Sequence, residues 1–212
     1  MTPSPRYVLR EMHYEDIPQV VAIDRQSFPI PWSASVYRYE LGQNSLSTMI
    51  VVSLYDSAGR LRESASLLGR ILHRLRNGRH DPGWHRVVVG YGGFWFSGGE
   101  AHVSTIATHP DYRRRGLGEL LLAGMIRRAL EIQAREISLE VRVSNEPAIA
   151  LYTKYGFRPA GIKPRYYRDN HEDAYDMRVT VTPDFRAMMT ARWQALARRV
   201  PFVDQLTAHT PA

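Results

Sequence analysis

Residues 101–122 read AHVSTIATHPDYRRRGLGELLL, and residues 136–157 read EISLEVRVSNEPAIALYTKYGF. In the first stretch a strand over Ala101–Thr108 enters a basic turn, and a helix over Leu117–Gln133 follows at once. A turn of this kind aims unpaired backbone N–H groups and the positive end of the helix dipole at one point, which suits a phosphate. Gly116 and Gly118 let the backbone come close where a Cβ would obstruct it, and Arg113, Arg114 and Arg115 supply positive charge. A surface turn with helix-capping glycines would carry the same letters. The turn is neither a G-x-x-x-x-G-K-[ST] phosphate loop nor a G-x-G-x-x-G dinucleotide turn.

The second stretch opens with a strand over Ile137–Val143. Ile137, Leu139, Val141 and Val143 point to one side, and Ser138, Glu140 and Arg142 to the other. A strand enclosed in a parallel region is apolar on both faces. The polar face with a carboxylate at its centre therefore reads either as the wall of a cleft or as the solvated face of an edge strand. Ser144 or Asn145 is placed to cap a helix over Pro147–Tyr155, with the proline in its first turn and Tyr152 farther along.

Working outward, Tyr7–Met12 alternates as a strand, and Ile17, Val20, Val21 and Ile23 predict a helix from Tyr14 to Ser27. Phe28-Pro-Ile-Pro-Trp-Ser33 interrupts it, because prolines do not sit inside a helix, and Ser33 begins a short helix through Tyr39. Ser47–Leu54 and Arg86–Phe96 read as strands. Between them Leu67, Leu68, Ile71, Leu72 and Leu75 share one helical face, which predicts an inserted amphipathic helix within residues 57–85. Arg165–Tyr167 and Ala174–Thr180 read as a closing hairpin. Phe185, Met188, Met189, Trp193, Leu196 and Val200 give the tail a helical period. Strand–helix–strand order of this kind predicts an α/β sandwich with a partly parallel sheet.

Composition narrows the chemistry. The chain has 212 residues, 44% hydrophobic and 23% charged, enough for one folded domain with an appendage. It has no cysteine, so disulfides, thiolate metal sites and a cysteine nucleophile are excluded. No signal peptide and no membrane span is expected, which predicts a cytoplasmic protein. The net charge is +7, with seven arginines between Arg60 and Arg86 against Glu63 and Asp81. A basic segment of this kind suits a nucleic acid or another anionic surface, or is simply a solvated helix face.

The two stretches together resemble the acetyl-CoA-binding core of the GNAT superfamily of N-acetyltransferases. R-R-R-G-L-G matches that superfamily's [QR]-x-x-G-x-[GA] signature, and L-E-V-R-V-S-N-E-P-A-I-A-L-Y-T-K-Y-G-F is similar to the RimI-like, N-α-acetyltransferase branch. F-P-I-P-W-S at Phe28–Ser33 and R-Y-Y-R-D-N-H-E-D-A-Y-D-M at Arg165–Met177 resemble two further pieces of the same branch. The resemblance spans roughly residues 5–180. It implies a mixed, mostly antiparallel central sheet with one parallel, splayed strand pair and helices on both faces. It implies a GNAT domain over residues 1–180 carrying the basic insertion, and a C-terminal helical extension over 181–212.

The resemblance also implies roles. Acetyl-CoA is the cosubstrate and no metal is needed. Ile106, Ala107 and Thr108 would meet the pantetheine, the turn Arg113, Arg114, Arg115, Gly116, Leu117 and Gly118 the diphosphate, and Asn145 the coenzyme arm. Glu140 would be the general base and Tyr152 the general acid, with direct attack by the amine. Phe28, Trp32, Tyr166 and Tyr167 would line a groove for a protein N-terminus, in this branch the N-terminal alanine of a ribosomal protein. His102 is a minor alternative base or a structural histidine. His73, His80, His85 and His171 match no recognised metal spacing. Rival acceptors are a lysine side chain or a small-molecule amine. A nucleic-acid or ribosome-docking role for the insertion is not expected to be the main activity, because only Trp84 interleaves its arginines. Assembly state is left open.

Overall fold

The structure, a computed structural model, describes residues 6–55 and 87–206. The expected insertion helix, within residues 57–85, lies outside the described residues. Eight strands form one sheet: β1 (Arg6–Glu11), β2 (Ser47–Tyr55), β3 (Val87–Ser97), β4 (Glu100–Thr108), β5 (Glu136–Arg142), β6 (Arg158–Lys163), β7 (Ala174–Thr180) and β8 (Phe202–Asp204). Their spatial order is β6-β7-β5-β4-β3-β2-β1-β8. The pairs β4–β5 and β1–β8 are parallel and the other pairs antiparallel. The expected mixed sheet with a parallel pair is therefore present.

Helices cover both faces. On one side α1 (Ile17–Ser27) and α2 (Ala34–Gly42) bury Ile17, Val20, Ile23 and Tyr37 against Val51, Val88 and Tyr91 of the sheet. On the other, α3 (Leu117–Glu131), α4 (Glu146–Lys154) and α5 (Pro183–Arg199) enclose a second core that includes Leu9, Ile50, Val52 and Val89. The run Leu120–Leu122 and Ile126 of α3 is fully buried, each side chain worth about 1.5–3 kcal/mol relative to exposure. α3 sits low on the sheet because β3 carries glycines beneath it. A Cβ at Gly90 would lie 3.1 Å from Leu121, and one at Gly92 3.1 Å from Met125. That seating brings the start of α3 to the end of β4.

Two expectations need correction. The strand that pairs with β7 is Arg158–Lys163, and Arg165–Tyr167 lies in the loop between β6 and β7. R-P-A-G-I-K carries a proline and a glycine, which argue against a central strand. β6 is instead the sheet edge, where a proline costs no ladder bond, and its register shifts between Pro159 and Gly161. Upstream of α1, Tyr14–Asp16 form a separate 3₁₀ turn, because Asp16 folds back to accept two hydrogen bonds from Arg10, at 2.6 and 2.7 Å.

The tail forms more than a helix. α5 runs antiparallel along α3: Arg186 donates to the Leu130 carbonyl at one end, and Arg199 binds Glu119 at the other. β8 then adds to β1, with the Tyr7 N–H donating to Pro201 O at 3.1 Å. Among the described residues, no helix is long and apolar enough to cross a membrane.

Candidate functional site

The parallel pair creates the site by coming apart. β4 and β5 are in register from Glu100–Glu136 to Val103–Leu139, and pairing stops there although β4 continues to Thr108 and β5 to Arg142. Thr105–Thr108 keep only β3 as a strand partner, so the other edge of β4 opens on a gap. A cleft of about 730 Å³ occupies it. One wall holds Ile106, Ala107 and Thr108, the other Glu140, Val141 and Arg142. Asn145 and Tyr152 of the α4 segment also line it.

The basic turn closes one end. Arg114 and Gly116 both have left-handed backbones, at φ 61° and 81°, and Gly116 caps α3. Arg113, Arg114 and Gly118 line the cleft. Arg115 turns away instead. Its guanidinium donates to Asp111 O at 3.0 Å and stacks on Tyr112 at 4.9 Å. Leu117 is buried in the core, so of the turn residues expected to meet the diphosphate, Arg115, Gly116 and Leu117 are not part of the wall. Asn145 caps α4, its Oδ1 accepting from the Ala148 N–H at 3.3 Å.

Glu140 sits between His102 and Lys163. Its side chain is 9% exposed, His102 Nε2 lies 3.1 Å from one oxygen, and Lys163 Nζ donates to the other. Burial alone would raise its pKa, but the bonds to His102 and Lys163 outweigh that and hold it at about 2. His102 Nδ1 lies 2.9 Å from Ser138 Oγ, and the Ser138 hydroxyl donates to Glu100. Since the serine proton is committed to Glu100, the hydrogen bond between His102 Nδ1 and Ser138 Oγ has the imidazole as donor. Tyr152 is buried, and burial, with Tyr167 beside it, pushes its phenol well above the usual tyrosine range. It stays protonated at any ordinary pH.

Phe28, Trp32, Tyr166 and Tyr167 gather at the opposite end of the cleft. Tyr166 and Tyr167 meet edge to face at 5.3 Å, and Arg142 lies over the Tyr167 ring at 3.8 Å while binding Asp169 and Glu172. Burial pushes the Tyr167 phenol up to about 12, against the opposing Arg142.

Two site residues escaped the sequence reading. Lys163 comes from the edge strand, and nothing local marks it as a partner of Glu140. Asp24 did leave a signal: Ile17, Val20, Val21 and Asp24 form one helical stripe, so a carboxylate stands where an apolar residue belongs. It is 2% exposed and accepts from the Trp32 N–H and the Tyr91 hydroxyl. The aromatic loop is thus tied to the sheet through one buried acid. Asp24→Ala strands two buried donors, at about 1–3 kcal/mol each. Steady-state kinetics should show the acceptor KM raised several-fold, with acetyl-CoA affinity unchanged in calorimetry. An unaltered acceptor KM would dissociate the loop from substrate binding.

Residues 17–157 match the Acetyltransferase (GNAT) family. The chain belongs to that family. It is 35% identical over 173 residues to a Bacillus subtilis protein provisionally named a ribosomal protein bS18-alanine N-acetyltransferase, covering 82% of this chain and 95% of that one. An N-alpha-acetyltransferase of Saccharolobus solfataricus is 33% identical over 172 residues, covering 81% and 91%. The crystal structure of the ribosomal-protein-S18-alanine N-acetyltransferase from Escherichia coli has the same fold, with a TM-score of 0.62 at 24% identity over 83% of this chain and 94% of that one. This GNAT chain is an acetyl-CoA-dependent N-acetyltransferase. Its cleft fits the cosubstrate. The free edge of β4 offers backbone groups to an amide-bearing arm, and the arginine-flanked start of α3 offers an anion site. Among the described residues, no three His, Asp or Glu side chains gather as metal ligands would.

Proposed function

We propose that this GNAT enzyme acetylates the N-terminal α-amine of a protein, with the N-terminal alanine of a ribosomal protein as the acceptor its relatives' names suggest. The observation that carries the reading is the two-ended cleft, with a cationic turn at one end, an aromatic mouth at the other and Glu140 between them. The diphosphate lies on the turn, with Arg113 and Arg114 beside it, and the pantetheine lies along Ile106–Thr108. The acceptor chain enters past Phe28, Trp32, Tyr166 and Tyr167.

The chemistry then follows from the charges. An incoming α-ammonium competes with Lys163 for Glu140. A peptide α-amine has a reference pKa of about 7.7–8.0, against about 10.4 for lysine, so it gives up its proton more readily near neutral pH. Glu140, with His102 behind it, takes that proton through a water. The free amine forms its N–C bond with the thioester carbonyl, the nitrogen of the tetrahedral adduct releases its second proton to water, the C–S bond breaks, and the sulfur leaves as thiolate. Tyr152, its phenol raised by burial, is a weaker acid than the departing thiol, whose reference value is about 8.5. It therefore acts by donating a hydrogen bond to the sulfur while that charge forms.

If both substrates share the cleft, coenzyme A joined covalently to the α-nitrogen of a short peptide should bind at least about 100-fold more tightly than coenzyme A alone. Calorimetry finding no gain from the peptide portion would separate the acceptor site from the cleft.

A further inference from the structure

The end of α5 reaches the coenzyme turn. A Cβ built on Gly116 would lie 2.8 Å from Val200 Cγ2 and 3.8 Å from both terminal nitrogens of Arg199. Arg199, more than half exposed, donates to one oxygen of Glu119. The other Glu119 oxygen takes Lys154 Nζ at 2.6 Å and the Tyr155 hydroxyl at 3.0 Å. Glu119 thus ties together the start of α3, the end of α4 and the end of α5. It is also an acid in the first turn of α3, where the positive end of the helix favours negative charge. A bound diphosphate needs that same helix end. Burial works against ionisation of Glu119, but Lys154, Arg199 and Tyr155 hold it ionised. An ionised acid there competes with the coenzyme unless it is neutralised.

We infer that the C-terminal strap is part of the coenzyme site: Val200 backs the left-handed turn at Gly116, and Arg199, with Lys154, cancels the Glu119 charge that would otherwise repel the diphosphate. Arg199 is a positioning residue, acting through Glu119 and the turn. The inference rests on the assignment of that turn to the diphosphate.

The test pairs a charge change with a ligand change. Calorimetry gives the affinity for acetyl-CoA, and kcat/KM with S-acetyl-pantetheine as donor reports a substrate that lacks the diphosphate. Arg199→Gln should weaken acetyl-CoA binding roughly tenfold, because the cluster of Glu119, Lys154 and Arg199 falls from one net positive charge to none beside the turn. Its kcat/KM with S-acetyl-pantetheine should change less than about twofold, because no diphosphate meets Glu119. The double variant Glu119→Gln/Arg199→Gln should recover most of the acetyl-CoA affinity, since Lys154 alone then restores the single net positive charge of the wild-type cluster. Val200→Ala should lower acetyl-CoA affinity without changing use of the short donor. Equal losses with both donors, or no recovery in the double variant, would reduce the strap to a support for the fold and overturn the inference. A wild-type enzyme that binds acetyl-CoA no better than S-acetyl-pantetheine would instead remove the turn's assignment.

Discussion

Glu140→Gln is expected to lower kcat by roughly 10²–10⁴-fold near neutral pH while leaving acetyl-CoA affinity nearly unchanged. Glutamine keeps the volume, but its one amide oxygen accepts from only one of His102 and Lys163 and its –NH2 faces the other, so the variant loses the proton acceptor and one of the two bonds while filling the same space. The loss should narrow as pH rises past about 8, the range in which an α-amine deprotonates unaided. With a pKa held at about 2, Glu140 is ionised at every working pH and contributes no acid limb to the wild-type profile. The same depression has a stability sign. The folded value lies below the usual 4.5, so the ion-paired carboxylate stabilises the fold above about pH 4.5 and loses that contribution as pH falls towards 2. The glutamine variant lacks this acid-sensitive contribution. Wild-type kcat at pH 7 in Glu140→Gln would remove the base assignment.

Gly116→Val should have the second largest effect. A β-branched residue at φ 81° carries strain of about 1–2 kcal/mol, and its side chain meets Val200, where overpacking adds about 1–3 kcal/mol. The turn must then move, and in the proposed binding mode it carries the diphosphate. Acetyl-CoA affinity should fall at least about tenfold, with the thermal midpoint lowered by several degrees. Adding Val200→Ala should restore stability more than affinity, because it relieves the clash but not the backbone strain. Unchanged acetyl-CoA affinity in a folded Gly116→Val protein would detach the turn from the coenzyme.

The parts of the site legible in the sequence are those whose neighbours in space are also neighbours along the chain. The turn from Arg113 to Gly118 and the Asn145 cap are local, so their letters carry their geometry. The alternation in β5 left two readings of Glu140 open, and the end of β4–β5 pairing at Val103–Leu139 resolves them in favour of a cleft wall. Sequence could not show that Arg115 folds back on Tyr112, because three consecutive arginines look alike until the turn is built. Lys163 stayed hidden because it acts across strands, from an edge strand whose proline and glycine mask its pattern. β8 is only three residues long and owes its place to β1, 195 positions upstream at the pair Tyr7–Phe202, a contact no local pattern encodes.

In the proposed reaction the acetyl group of acetyl-CoA passes to a protein's N-terminal α-amine in the cleft between β4 and β5. The most direct test is incubation with acetyl-CoA and peptides that carry both a free N-terminus and an internal lysine, beginning with alanine and with other residues. Fragment-ion mass spectrometry then locates the acetyl group. Acetyl is expected on the first residue's α-nitrogen, with the lysine unmodified and the same peptides inert when their N-termini are blocked. Acetylation of the lysine, undiminished by that block, would contradict the proposed reaction.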